Sequence, residues 1–204
     1  MYTAYIFDID GTLVDTAASI LASIRESLVK AHINFNENDI NHSLIGPKIE
    51  NILDIIGIDS DKNLKDEIVH NFRQIYDNKF VLEASAYPQS TYLFDLSRKS
   101  QAKMFIATNK PKLPTTRLLN HLNWNFFEDV YCPDKYPERK ISKKEMISEI
   151  ISRYDLNHEQ VIMVGDTLGD YEASRDNQCD FGYASWGYGK EKQLLSQNST
   201  TVFK

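Results

Sequence analysis

The chain has little cysteine, proline, glycine or tryptophan: two, six, eight and two in 204 residues. Cys132 and Cys179 stand far apart and neither has a CxxC partner. That excludes a disulfide framework and a zinc-binding cysteine pair, and two isolated thiols suit a reducing cytoplasm. Positive charge is short as well: 23 Lys and Arg face 29 Asp and Glu, a formal net charge of -6. A nucleic-acid-binding surface wants a basic stripe, so no nucleic-acid partner is expected. No run approaches the ~20 apolar residues that span a bilayer, and no membrane partner is expected either. Tyr5-Ile6-Phe7 reads as a buried strand, which leaves no room for a secretory leader of about 15–30 residues. The five histidines show no pairing pattern. The P-loop, a dinucleotide GxGxxG, HExxH and GxSxG are all missing.

What is present is an ordinary globular composition, with 42 % hydrophobic and 25 % charged residues. The length suits one domain, or one domain with a sizeable insertion. Short apolar runs predict strands at 4–9, 103–108, 127–131, 161–164 and 181–185. Amphipathic spacing predicts helices at 16–29, 48–56, 64–80, 91–97, 114–122, 143–154 and 170–177, and the segment 37–45 also reads as helical. Strand and helix alternate through the second half, which calls for a parallel sheet with right-handed crossovers. The helical block interrupts that alternation directly after the first strand. The expected architecture is an α/β core with a Rossmann-like parallel sheet, residues 1–15 and 84–204, and an inserted all-helical cap, residues 16–83.

Ligands of open parallel sheets bind outside the carboxyl ends of the strands. The first strand ends in Asp8 and Asp10, the second in Thr108 and Asn109, and the fourth in Asp166, with Asp170 one turn on. Four carboxylates gathered at one edge repel one another in a partly dry site. A hard cation relieves that repulsion, and an all-oxygen set suits Mg²⁺. The ion and a nearby lysine would make the edge attractive to phosphate despite the negative net charge. The plain structural alternative gives Asp166 the N-cap of the following helix, and makes Asp170 a first-turn acid favoured by the helix dipole.

Asp8-x-Asp10-Gly11-Thr12, the strand-end Thr108, a lysine before the fourth strand and Gly165-Asp166-x-x-x-Asp170 resemble the four motifs of the haloacid dehalogenase-like hydrolases. The resemblance runs nearly end to end. Ile45-Gly46-Pro47, Thr108-Asn109-Lys110-Pro111 and Trp186-Gly187-Tyr188-Gly189 look most like its phosphoglycolate phosphatase branch. It implies a Mg²⁺-dependent phosphatase acting on a small phosphorylated metabolite. Asp8 would be the nucleophile that forms an aspartyl-phosphate, and Asp10 the general acid and base, with its main-chain carbonyl on the metal. Thr108 would hold a phosphoryl oxygen. Asp166 would ligate Mg²⁺ through its side chain, with Asp170 a ligand or orienter. Asn109, Gly46 and the cap residue Arg73 are expected at the substrate. Lys140, Lys143 and Lys144 crowd the place of the family lysine, and spacing favours Lys143. Arg73 and Tyr76, three apart on the cap, otherwise read as a surface pair, and Trp186 and Tyr188 as packing and loop residues. A sugar-phosphate mutase keeps the same motifs, and a non-catalytic binding protein on this scaffold is the remaining alternative.

Overall fold

The computed structural model describes residues 1–46, 49–58, 62–189 and 200–204. Pro47 and Lys48, which belong to the expected Gly46-Pro47 turn and the helix after it, lie outside the described residues. The chain divides into two compact units, Met1–Asp15 with Ser85–Lys204, and Thr16–Ala84.

The first unit is built on a six-stranded sheet. Its strands in chain order are β1 (Ala4–Phe7), then a short β2 (Val14–Asp15) and β3 (Ser85–Ala86) that pair only with each other, then β4 (Lys103–Ala107), β5 (Asp129–Tyr131), β6 (Val161–Gly165), β7 (Asp180–Ala184) and β8 (Thr200–Phe203). The large sheet runs β5-β4-β1-β6-β7-β8 and every pairing in it is parallel. β1 is central, and its four residues are all buried. A strand covered on both faces reads as an unbroken apolar run, which is how Ala4-Tyr5-Ile6-Phe7 reads. Ala4 and Ile6 join a core with Met146, Ile147 and Ile150. Phe7 points the other way, into a cluster with Phe94 and Phe127. Those two directions are the period of two expected of a strand. The helices on them are α4 (Pro88–Lys99), which carries Phe94, and α6 (Lys143–Arg153), while Phe127 comes from the loop before β5; α5 (Lys112–His121) and α7 (Leu168–Asp176) complete the helices of this unit. This is the Rossmann-like α/β arrangement. The strand order reverses at β1, and Phe7 lies level with Val164 of β6 and Ile106 of β4. Residues just past these three strand ends therefore share one edge.

The second unit is helical: α1 (Ala17–Lys30), α2 (Ile49–Ile55) and α3 (Lys62–Asn78), with a 3₁₀ turn at Phe80–Glu83. Leu21, Ile24 and Leu28 are buried on α1, and Ile68, Phe72 and Tyr76 on α3, at spacings of three and four that put each set on one face. α1 packs against α3. Tyr76 is buried and stacked on Phe72 at a ring-centroid distance of 5.7 Å, so it does not form the surface pair with Arg73 that the spacing allowed. The segment 37–45 is not one helix but two 3₁₀ turns, Glu37–Asp39 and His42–Leu44. The Asn36 and Asn41 side chains accept from Asn38 N and Ser43 N, and such local bonds compete with helix continuation. β8 and the β2–β3 ribbon also go beyond the expected strands. No helix among the described residues is long and apolar enough to cross a membrane.

Candidate active site at the carboxyl edge of the sheet

Three strand ends build the site. β1 delivers Asp8, whose amide donates to Val164 O at 2.9 Å, so the chain is still held to β6 at that point. It then turns within a few residues: Thr12, Leu13 and Val14 all donate to Ile9 O, and Gly11 N returns to Val14 O. Gly11 has φ +79°, and a methyl group there would collide with the Asp166 carboxylate. The position is closed to other residues by backbone and by space. β4 delivers Thr108, buried, with its amide on Tyr131 O at 3.0 Å. Its hydroxyl oxygen accepts from Lys110 N at 3.2 Å, which leaves the hydroxyl proton available as a donor. Asn109 beside it is exposed. β6 delivers Asp166.

α6 supplies the cation. Ser142 caps it, and Ser142 and Glu145 bond reciprocally in a capping box. That fixes the start of the helix and decides which lysine faces inward. Lys143 is buried, with Nζ 2.9 Å from Asp8 Oδ2 and a short contact to Asp170 Oδ1. Lys144 points outward to Asp176 at 3.1 Å, and Lys140 is exposed.

Asp166 does not cap the next helix. Thr167 does, in a second capping box with Asp170, whose Oδ2 accepts from Thr167 N at 3.0 Å and Thr167 Oγ1 at 2.7 Å. Asp166 is thereby released from local duty. Its Oδ1 accepts from Thr12 Oγ1 at 3.2 Å and its Oδ2 from Tyr188 N at 2.7 Å. The segment Trp186–Gly189 thus does more than pack. It straps the site, with Trp186 Nε1 on Thr12 O at 3.0 Å and Tyr188 OH on Asp15 Oδ1 at 2.7 Å. A methyl on Gly187 or Gly189 would strike Asp166. Two glycines flanking Tyr188 were the visible sign of that close approach.

Asp10 takes a different partner from Asp8. Both its oxygens accept from Lys110 Nζ, at 2.8 and 3.0 Å. Lys110 was not among the expected site residues, although it stands next to Asn109 in the motif. Gly46 and Arg73 belong to the other unit. Gly46 is exposed with φ +113°, and Arg73 is half-buried on α3.

One ligand oxygen each from Asp8, Asp166 and Asp170 lies within 4.8 Å of the others, and all three residues are buried. Burial pushes Asp8 up to about 6, with Asp170 and Asp10 adding to it and Lys143 opposing. Burial pushes Asp166 up to about 7, with Asp170 and Asp8 adding to it and the Tyr188 amide and Lys143 opposing. For Lys143, burial works against the charge, but Asp170 and Asp8 outweigh it and hold the ammonium above the usual lysine range.

The sequence pattern of the haloacid dehalogenase-like hydrolases matches residues 5–184. The chain belongs to that family. Haloacid dehalogenase-like relatives include the phosphoglycolate phosphatase of Aquifex aeolicus, 27 % identical over 188 residues, which cover 91 % of this chain and 85 % of that one. The tyrosine-protein kinase PtkA of Mycobacterium tuberculosis is 25 % identical over 197 residues, 97 % of this chain, yet the chain spans only 66 % of that relative's length. Among solved structures, a haloacid dehalogenase-like family hydrolase from Streptococcus pneumoniae superposes with a TM-score of 0.84 at 26 % identity, covering all of this chain and 94 % of the other.

The haloacid dehalogenase-like frame raises the question of a divalent metal, and the residues fit one. Asp8 Oδ1 is buried and has no hydrogen-bond partner among the described residues. An unpaired buried carboxylate oxygen is costly. The raised carboxylates around it express the same unmet need for positive charge, and the donors are all oxygen, as Mg²⁺ requires.

Proposed function

We propose that the protein is a Mg²⁺-dependent phosphomonoester hydrolase of small phosphorylated metabolites, close in action to the phosphoglycolate phosphatases it resembles, and working in the cytoplasm. One observation carries the reading: Asp8 has one oxygen bound by Lys143 and the other buried without a hydrogen-bond partner among the described residues, at an edge where three aspartates meet. Asp8 and Asp166 would hold the ion with the Asp10 main-chain carbonyl, while Asp170, already bonded to Lys143 and Thr167, keeps the lysine and the turn in place. When bound, Mg²⁺ supplies positive charge to the phosphoryl oxygens and to the aspartates.

One Asp8 carboxylate oxygen attacks phosphorus, while the other would hold the ion. The bond from phosphorus to the leaving oxygen breaks, and Asp10 gives that oxygen its proton. Asp8 now carries the phosphoryl group, with Lys143 and the Thr108 hydroxyl opposing its negative charge. Water then attacks phosphorus, Asp10 takes the water's proton, and the Asp8–phosphorus bond breaks to release phosphate. A carboxylate serves both steps because it attacks as an anion and leaves as one. Substrate choice falls to the 16–84 unit, with Arg73 and the turn at Gly46 as its candidates.

The decisive assay is inorganic phosphate release from an aryl phosphate and a panel of phosphorylated metabolites. Release is expected with Mg²⁺ and not with EDTA, and Asp8→Asn is expected to fall below about a hundredth of the native kcat, since nucleophile removal usually costs several orders of magnitude. A fully active Asp8→Asn variant would end the covalent reading. Release of phosphate to water separates this activity from the tyrosine-protein kinase activity named for the mycobacterial relative.

A further inference from the structure

The two aspartates of the Asp8-x-Asp10 motif are each held by a lysine, and the two lysines come from different segments of the sheet unit. Lys143 reaches Asp8 from the start of α6, and Lys110 reaches Asp10 from the loop between β4 and α5. The Lys110 side chain is 3 % exposed and the Asp10 side chain 26 %. The cation is therefore the buried partner, and the carboxylate is the one that opens toward solvent. Burying an ammonium costs several kcal/mol unless its charge is met. A lysine on a surface loop has a cheaper place in water, so its burial here requires a reason.

Lys110 is aimed by its surroundings. Its amide donates to Thr108 Oγ1 at 3.2 Å and its carbonyl accepts from Thr115 Oγ1 at 3.3 Å, so the backbone is bound on both sides by buried threonines. Two residues on, Lys112 N donates to Asp134 at 2.8 Å, which ties down the entry to α5. From that fixed base Nζ meets both Asp10 oxygens almost equally, at 2.8 and 3.0 Å. A bidentate hold of this kind restricts the rotation of the carboxylate plane as well as its position.

We infer that Lys110 is a positioning residue for Asp10: it sets where the proton-transferring carboxyl group stands, through the two bonds from Nζ, and does not itself touch the phosphoryl group. This rests on the reading of Asp10 as proton donor to the leaving oxygen. A proton donor misplaced by a fraction of an ångström loses much of its effect, whereas Asp8 attack and phosphate binding do not depend on it. The consequence is selective. Loss of Lys110 slows the first step for esters whose leaving oxygen needs a proton and spares it for those whose leaving group departs unaided, while the second step, in which Asp10 takes the water's proton, slows alike for both. It also lowers kcat and leaves KM nearly unchanged, because nothing that holds the phosphate is removed.

The test is a double-mutant cycle on the full chain with Mg²⁺, using Lys110→Met and Asp10→Asn singly and together, each assayed in a single turnover for release of the leaving group from an alkyl phosphate and from 4-nitrophenyl phosphate. Lys110→Met is expected to lower the release rate on the alkyl ester by about 10–100-fold, within the roughly 10²–10⁴-fold that a general acid supplies, and on the aryl ester by less than about threefold. In the Asp10→Asn background the same change is expected to add no further loss, since a residue that acts through another has nothing left to act on. Lys110→Gln, of similar reach and uncharged, is run beside Lys110→Met so that a folding defect in one, visible in Tm, does not close the test. Equal losses in leaving-group release on both esters, or a loss that persists beside Asp10→Asn, would mean that Lys110 acts on phosphate or only on the fold, and the inference is then wrong. If instead Asp8→Asn leaves phosphate release intact, the fault lies in the hydrolase reading, and the positioning role falls with it.

Discussion

The two units handle charge in opposite ways. Five charged side chains are buried among the described residues, Asp8, Lys110, Lys143, Asp166 and Asp170, and every one is in the sheet unit. The buried polar residues of the 16–84 unit are Thr16, Ser19, Ser23, Ser27 and Asn71, all neutral. Its ion pairs, Arg25–Glu37, Lys65–Asp54 and Lys79–Glu26, lie toward the surface, where such pairs contribute about 0–1 kcal/mol. Burying five charges at one strand edge is a poor way to stabilise a fold, because desolvation offsets most of the Coulomb attraction. The helical unit shows that this chain is able to build a core without it. The difference marks the sheet edge as the place where stability has been given up for chemistry.

The comparison can be sharpened first at the metal. Asp166→Ala removes a carboxylate that faces the site, and the Mg²⁺ concentration for half-maximal activity is expected to rise by more than ~100-fold. Asp170→Ala removes an orienting group and should raise it by roughly 10–100-fold. A titration in which the two variants behave alike, near the native value, would show that the cluster is structural. Next comes the helical unit. Arg73→Ala is expected to change the ranking of metabolite phosphates, lowering kcat/KM about 10–100-fold for the one that uses the cation, as loss of a charged hydrogen bond does. An aryl phosphate should barely respond. A uniform loss on every ester would make the 16–84 unit a support and nothing more.

The smallest effect concerns pH and stability. Asp8 and Asp166 stand raised to about 6 and about 7 in the folded chain. Their unfolded values are near 4. Between those limits the folded chain binds more protons than the unfolded one, so stability falls as pH rises through the window. Without metal, Tm should therefore drop from about pH 5 to about pH 8, and Mg²⁺ should flatten that slope. A metal-free Tm that climbs over the same range would contradict the unmet charge at the site.

Much of this was legible in the sequence, for identifiable reasons. Central parallel strands are short unbroken apolar runs, so β1, β4 and β6 announced themselves, and polar residues directly after them had to share an edge. The choice of Lys143 over its neighbours was written in Ser142-x-x-Glu145, since a capping box sets where a helix starts. The same logic in Thr167-x-x-Asp170 takes the cap away from Asp166. Other features carried no periodic signal. Two-residue strands are too short to show an alternation, and the edge strand β8 has only four residues to show one. The 3₁₀ turns at 37–44 share composition with a helix and differ only in where two asparagine side chains bond. The burial of Lys110 was invisible because lysine is ordinarily a surface residue; only its tertiary partner, a hundred positions away, explains it.

The ribbon of β2 and β3 has a consequence for how such a molecule can change over time. Val14 pairs with Ala86 and Asp15 with Ser85, so the chain leaves the sheet unit and returns to it at adjacent points. Whatever lies between those points closes a gap of one strand spacing, about 5 Å. A two-residue turn would close it as well as the present helices do. The length and sequence of the intervening segment are thus uncoupled from the geometry of the strands that carry Asp8 and Thr108. A lineage can lengthen, shorten or exchange that segment as a cassette and test new substrates, while the residues that handle phosphate stay where the sheet puts them.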